Sequence, residues 1–244
     1  MVVDLRKTLI VMPAFNEEAA IGGVLAEVFK TNPGIKCLVV DDGSRDRTSQ
    51  ISRSAGAIVA TLPYNLGVGG AMRVGFNYAL ANDFENVVQV DADGQHNPDD
   101  VSRLVAELRN ADLVLGARFA GSGEYEARGP RKWAIVILAK ILSRSAHSKL
   151  TDTTSGFRAS GPRAVRLFAE NYPAEYLGDT VESLVIAARV GFRITQVPVA
   201  MRTRAGGTPS HGSLKASVFL VRVGVAILFA FLRPPVTSRN GQFS

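Results

Sequence analysis

Cysteine is nearly missing from this 244-residue chain: Cys37 stands alone, inside the apolar run 35–40. One thiol excludes a disulfide framework within the chain, and an apolar setting marks it as a small core residue rather than a nucleophile. Histidine is almost as scarce. His96, His147 and His211 are scattered, so neither a zinc centre nor a Ser-His-Asp triad has support. No G-x-x-x-x-G-K-[ST] and no G-x-S-x-G occurs. The glycine-rich stretch Asn65-Leu66-Gly67-Val68-Gly69-Gly70-Ala71 misses the dinucleotide fingerprint, because the third glycine would fall on Met72. Long hydrophobic runs are lacking too. Within 214–232 the longest uncharged run, 223–232, has ten residues, about half of what a spanning helix needs. The first six residues carry charge and no signal-peptide core, so the expectation is a protein that stays in the cytoplasm.

What is present is basic. A net charge of +6 points to anionic partners: nucleic acid, phosphorylated ligands or an acidic membrane surface. Nucleic acid fits poorly, since the basic residues lack interleaved aromatics and an acidic crevice would repel a phosphate backbone. The length suits one α/β domain with a large core. Near-continuous apolar runs predict strands at 8–12, 36–40, 57–61, 86–90 and 113–116, alternating with helices at 17–30, 47–54, 69–81 and 98–109. That rhythm implies a mostly parallel, Rossmann-like sheet flanked by helices. After a Gly-, Glu- and Arg-rich loop at 120–130 the rhythm becomes irregular, which suggests a second half built onto the first without a separate linker.

Ligands of an open parallel sheet bind at the carboxyl ends of its strands. Three polar clusters fall there: Pro13-Ala14-Phe15-Asn16-Glu17-Glu18, Asp41-Asp42-Gly43-Ser44 and Asp91-Ala92-Asp93. Each has a bland alternative. Asn16 can cap a helix with Glu17 in its first turn, Asp-Gly is a common turn signal, and an acidic pair can sit idle in a loop. Their convergence on one edge favours a site, because like charges gathered there repel. Asp91 and Asp93 project to the same side of an extended backbone and make a hard oxygen site suited to Mg²⁺ or Mn²⁺. The turn 65–71, with Gly69 opening a helix, can bring backbone N–H groups to an anion.

Together PAFNEE (13–18), VVDDGSRDRT (39–48), NLGVGGA (65–71), DADGQH (91–96), GAR (116–118) and DTTSGFR (152–158) resemble the inverting glycosyltransferases of family 2, with the GT-A fold. The likeness is to the dolichyl-phosphate mannosyltransferase and bacterial polyprenyl-phosphate glycosyltransferase branch. The resemblance implies that Pro13, Phe15, Glu17, Val40 and Asp42 hold the nucleoside of a nucleotide sugar. Asp91, Ala92 and Asp93 would face ribose and diphosphate, with Asp91, Asp93 and Gln95 as metal ligands, Asp93 and Gln95 the direct ones. Arg118 matches a phosphate-contacting arginine, and with Arg131 it would steer the acceptor phosphate. Asp152 resembles an acidic position near the reacting sugar. Asp179 and Glu182 lie where hydroxyl-acceptor relatives carry their base, or else form a helix-start carboxylate and an exposed partner. Arg204 and Gly207 match a diphosphate-clamping loop, but Ser210 replaces the lysine of the mannosyltransferases, which leaves both GDP- and UDP-sugars open.

Residues 1–212 would thus form the GT-A domain, 213–235 an amphipathic helix and 236–244 a disordered tail. Lys215, Arg222 and Arg233 share one stripe of that helix, which suits the headgroup plane of a membrane or, alternatively, a homodimer interface. The segment 131–147 is amphipathic as well, with Lys132, Lys140 and Arg144 opposite its apolar side. The implied activity is metal-dependent, inverting transfer from a nucleotide diphosphate sugar to polyprenyl phosphate, by a peripheral protein on the inner face of the membrane. Two alternatives stand beside it: a family 2 enzyme acting on a hydroxyl of a glycan or lipid-linked saccharide, and a non-catalytic nucleotide-sugar-binding partner.

Overall fold

The computed structural model describes residues 5–118, 150–173 and 179–202. The strands are β1 (Thr8–Ala14), β2 (Lys36–Asp41), β3 (Ile58–Thr61), β4 (Asn86–Gln89), β5 (Leu113–Ala117), β6 (Arg158–Ser160) and β7 (Ile194–Pro198). The helices are α1 (Ile21–Thr31), α2 (Thr48–Ser54), α3 (Gly67–Ala81), α4 (Asp100–Glu107), α5 (Pro162–Asn171) and α6 (Asp179–Arg189). One seven-stranded sheet runs in the order β3-β2-β1-β4-β6-β5-β7. Strands β1 to β4 are mutually parallel, as are β5 and β7; the short β6 lies antiparallel between β4 and β5. The mostly parallel α/β expectation therefore holds, with one inserted reversal.

Alternate residues of each central strand feed two separate cores. Leu9, Val11, Leu38, Val40 and Val87 pack under α3, α5 and α6 with Met72, Phe168 and Leu184. Ile10, Met12, Cys37, Val39 and Val88 pack under α1 and α4 with Leu25, Val28 and Leu104. Both faces being covered is why these strands read as unbroken apolar runs. Phe76, Phe168 and Tyr172 form an aromatic cluster with ring centroids 5.1–5.3 Å apart, and it ties α3 to α5. Cys37 is buried in the second core, where burial pushes its thiol up to about 12, so it stays protonated and inert.

The order β2-β1-β4 puts the connections leaving β1 and β4 on opposite sides, and the crevice opens between their carboxyl ends. The three polar clusters meet along this edge. One expectation fails in detail: α1 begins at Ile21, not at residue 17. Asn16 takes a left-handed φ of 55°, which turns the chain before the helix can start. Its side chain accepts from Arg45 N–H at 2.9 Å, so it staples the neighbouring loop and does not cap α1.

The segment 131–147, Arg131, Arg204 and the proposed helix 213–235 lie outside the described residues. Among the described residues no helix is long and apolar enough to cross a membrane.

Gly75 lets α3 approach β1 closely: a Cβ there would sit 2.4 Å from Val11 Cγ1. Gly75→Ala should therefore destabilise the fold by about 1–3 kcal/mol, despite alanine's better helix propensity. Urea denaturation checks this, with the midpoint expected to fall at unchanged slope.

Candidate active site

Short loops after β1 and β2 are zipped together through backbone amides. Asn16 N–H donates to Ser44 Oγ at 2.9 Å, Glu17 N–H to Thr48 Oγ1 at 2.9 Å and Glu18 N–H to Asp46 Oδ2 at 3.1 Å. Asp46 is held below its ordinary value: its slight burial acts the other way, but hydrogen bonds from Thr48 and Glu18 prevail. Asp41 accepts from Ser44 N–H at 2.9 Å and from the Ser49 hydroxyl.

Asp42 points to the other face of β2 and grips the start of α3. Its two carboxylate oxygens accept Leu66 N–H at 2.7 Å and Gly67 N–H at 2.8 Å. Burial pushes its carboxyl up, the charge of Asp41 adds to this, and the two amides oppose it. The like-charge effect here is between the neighbours Asp41 and Asp42 of one strand end, and the two amides work against it. Gly43 adopts φ +78°, and a Cβ there would meet the backbone of Tyr64 and Asn65 at 3.0–3.1 Å. This close approach seats the turn before α3 against the end of β2. Gly69 is buried in the first turn of α3.

Pro13 and Val40 are register partners at the ends of β1 and β2. Val40 is wholly buried between its strand neighbours, so it could only back a ligand pocket from beneath. Phe15 is 45% exposed on the rim, and Tyr64, which the sequence did not single out, is 64% exposed on the turn that Gly43 contacts.

Beyond β4 the chain forms the loop carrying Asp91, Asp93 and Gln95. Ala92 is buried beneath it, whereas both carboxylates and Gln95 are partly accessible. Asp93 Oδ1 accepts Gln95 N–H at 3.0 Å, an Asx-type turn that sets the two side chains on one short bend. The donor set is two carboxylates and an amide, all hard oxygens. It fits Mg²⁺ or Mn²⁺, with the remaining positions left to phosphate and water. Among the described residues no group of three or more His, Cys, Asp or Glu side chains could hold a metal, so a metal here would depend on Gln95 and on ligand oxygens. The chain leaving β7 returns to this loop: Arg202 N–H donates to the Gln95 carbonyl at 3.0 Å and its guanidinium to Asn97 Oδ1 at 2.7 Å.

Arg118, just past β5, and Asp152 form one unit. Arg118 Nε donates to Asp152 Oδ2 at 2.7 Å, and Nη2 to Oδ1 at 3.0 Å and to Thr154 Oγ1 at 3.0 Å. Burial alone would raise the Asp152 carboxyl. The hydrogen bonds and charge of Arg118 outweigh it and hold the group below its ordinary 3.8. The two residues expected to act separately are therefore a fixed pair. Asp179 is the first residue of α6, and Glu182 is buried rather than the exposed residue of the alternative reading.

Sequence reasoning passed over three residues that the structure brings in. His96 is buried 3% exposed and stacked on Phe157 at 4.8 Å between centroids. Gly156 lies against the Asp91 carboxylate, where a Cβ would come within 3.2 Å. Arg158 is buried and donates to Ser155 O, Thr180 O and Ser183 Oγ, which fixes the turn 155–157 to the start of α6. Each sits inside the motifs DADGQH and DTTSGFR, and adjacency within those motifs was the available signal.

This mostly parallel sheet with an acidic carboxyl edge has the GT-A architecture. The chain belongs to glycosyl transferase family 2, whose model matches residues 9–170, and it is a glycosyltransferase. It is 29% identical over 240 residues to undecaprenyl-phosphate mannosyltransferase of Micrococcus luteus, covering 93% of this chain and 98% of that one. It is 32% identical over 219 residues to a dolichyl-phosphate hexose transferase of Haloferax volcanii, covering 88% and 92%. Among solved structures it resembles glucosyl-3-phosphoglycerate synthase of Mycobacterium tuberculosis in complex with Mn²⁺, UDP and glucosyl-3-phosphoglycerate. That match has a TM-score of 0.70 and 23% identity, over 94% of this chain and 81% of that chain.

Because the folded Asp152 carboxyl is depressed, the pair's stabilisation is complete above about pH 4 and lost as pH falls through the folded value. Asp152→Asn should cost about 1–3 kcal/mol near neutrality, discounted for the part-exposed arginine. Melting curves from pH 7 to pH 3 should show the two proteins converging on acidification.

Proposed function

We propose that the protein transfers a sugar, with inversion, from a nucleotide diphosphate sugar to polyprenyl phosphate at a membrane surface. The observation that weighs on the choice of acceptor is Asp152, which stands with Asp179 as a candidate base for a hydroxyl acceptor. A sugar hydroxyl needs a general base with a pKa near the working pH. Asp152 is 3% exposed, bound by both arms of Arg118 and held below its ordinary value, which suits it badly to that task. A phosphate acceptor is already an anion and needs none. The mannosyl- and hexosyltransferase relatives named for undecaprenyl and dolichyl phosphate support the same reading.

In this reading Asp152 and Thr154 orient the Arg118 guanidinium, whose planar donors match phosphate oxygens. An acceptor phosphate oxygen bonds to the anomeric carbon while that carbon's bond to the diphosphate oxygen breaks. The electron pair of the broken bond leaves with the nucleoside diphosphate. Pro13, Phe15, Glu17 and Asp42 would line the nucleoside with Val40 backing them, and Asp91 and Ala92 would line the ribose and diphosphate. Asp93 and Gln95, with Asp91, would hold Mg²⁺ or Mn²⁺, which neutralises the departing diphosphate. Gly69 would add backbone N–H groups, Arg204 a diphosphate clamp and Arg131 a second contact to the acceptor phosphate. The basic amphipathic segments 131–147 and 213–235 would hold the protein at the inner membrane face, with a homodimer as the other use of the second.

The test is transfer of labelled sugar from UDP- and GDP-sugars to polyprenyl phosphate with Mn²⁺ or Mg²⁺. The expected product is a lipid-soluble sugar phosphate labile to mild acid. Asp93→Ala should abolish it, and Arg118→Lys should lower kcat/KM by about 10²-fold, as for loss of an oriented transition-state donor. Transfer to a free glycan with none to the lipid phosphate would reject the proposal.

A further inference from the structure

The loop from Asp91 to Gln95 is closed by the residue after it. His96 Nδ1 accepts the Asp91 backbone N–H at 3.1 Å, which ties the two ends of the loop together. An imidazole nitrogen that accepts carries no proton, so in the neutral ring the hydrogen is on Nε2. Nε2 lies 3.6 Å from Asp91 Oδ2. That is too long for a hydrogen bond, yet close enough for the N–H dipole to favour a carboxylate oxygen at that place. The other oxygen, Oδ1, has Gln89 Nε2 at 3.4 Å. Both polar atoms of one buried ring thus address a single residue, where an apolar side chain of similar size would fill the space equally well.

The surroundings keep the ring in that orientation. Phe157 stacks on it at an interplanar angle of 14°, and the His96 backbone bridges to Met201. Gly156 leaves room for the Asp91 carboxylate, since a Cβ there would press on both oxygens at 3.2–3.3 Å. Arg158 then fixes the turn that carries Gly156 and Phe157 through paired donors to the Ser155 carbonyl.

We propose that His96 is a positioning residue of the sugar-transfer site: as the Nε2–H tautomer it locks the 91–95 loop and aims the Asp91 carboxylate at the bound nucleotide. This rests on the glycosyl-transfer reading above. His96 touches no substrate in this scheme. It acts by ordering, before the donor arrives, a loop whose side chains must otherwise be immobilised at the expense of binding free energy. A metal or diphosphate group would meet the loop already set.

The test uses the full chain with Mn²⁺ and UDP or GDP. Free Mn²⁺ is read by electron paramagnetic resonance, and a melting curve is recorded for every variant. His96→Ala should weaken Mn²⁺–nucleotide binding about 10- to 100-fold, the usual effect of removing a group that supports a ligand. His96→Asn should restore most of it, because its Oδ1 reaches the place of Nδ1 and again accepts the Asp91 amide. Wild-type affinity in folded His96→Ala would overturn the inference, and so would His96→Asn binding no better than His96→Ala. If His96→Ala does not fold, wild-type affinity compared with His96→Asn and His96→Leu decides in the same way. Failure of the wild type to bind any Mn²⁺–nucleotide would instead strike the glycosyl-transfer reading. A long-range ¹⁵N–¹H spectrum of the unmodified protein separates the two: an Nε2–H ring with a protected Asp91 amide supports the lock, and an Nδ1–H ring overturns it.

Discussion

Carboxylates that accept backbone N–H groups hold the functional edge of this protein together. Asp41 binds Ser44 N–H, Asp42 binds Leu66 and Gly67 N–H, Asp46 binds Glu18 and Thr48 N–H, and Asp93 binds Gln95 N–H. Asp152 takes Arg118 N–H beside its guanidinium. Loops at strand ends have amides without ladder partners, and acidic side chains gathered at one edge repel each other. Each need answers the other, since charge-assisted bonds to amides are stronger than neutral ones. The cost shows at Asp42, whose carboxyl is pushed up by burial and by Asp41.

The same edge joins two halves of the molecule. Strands β1 to β4 form the parallel half that carries the motifs 13–18, 39–48, 65–71 and 91–96. The antiparallel β6 enters beside β4 with Gln89 opposite Arg158, so the turn 155–157 lies directly beside Asp91 and His96. Arg158 continues the connection into α6 through Thr180 and Ser183. Among the described residues this buried guanidinium donates to carbonyls and a hydroxyl, and a buried guanidinium is expensive to desolvate. Its place here is understandable if the geometry of the 155–157 turn matters to what happens at Asp91. The chain returning from β7 reaches the same loop through Arg202, so two separate segments, the turn 155–157 and the chain after β7, converge on residues 91–97.

Much of this was legible in the sequence because its physical signals are local. Apolar runs such as 36–40 and 86–90 bury both faces, so the strands show as blocks, and the residues that follow them fall at the carboxyl edge by topology alone. The helix start at 17 was misread because Asn16 has two local uses, capping and the left-handed turn, and only contact with Arg45 and Ser44 on another loop decides between them. Strand β6 has three residues, Arg-Ala-Ser, too few for any period to show, and its pairing is set by neighbours β4 and β5. His96 looked like one of three scattered histidines; its task depends on Phe157, sixty-one positions away in the chain. The Arg118–Asp152 pair is likewise a tertiary fact. Each residue was picked out by its motif, and neither motif announces the partner.

The claim on which all of this depends is that side chains from separate strand ends meet around a divalent cation bound to a nucleotide diphosphate. Anomalous diffraction at the manganese edge, from crystals soaked with Mn²⁺ and UDP or GDP, tests it most directly. The account predicts a single strong peak in direct contact with a carboxylate oxygen of Asp93 and with the diphosphate, beside Asp91 and Gln95. A nucleotide bound at this edge with no manganese beside Asp93, or manganese bound at another face of the sheet, would contradict it.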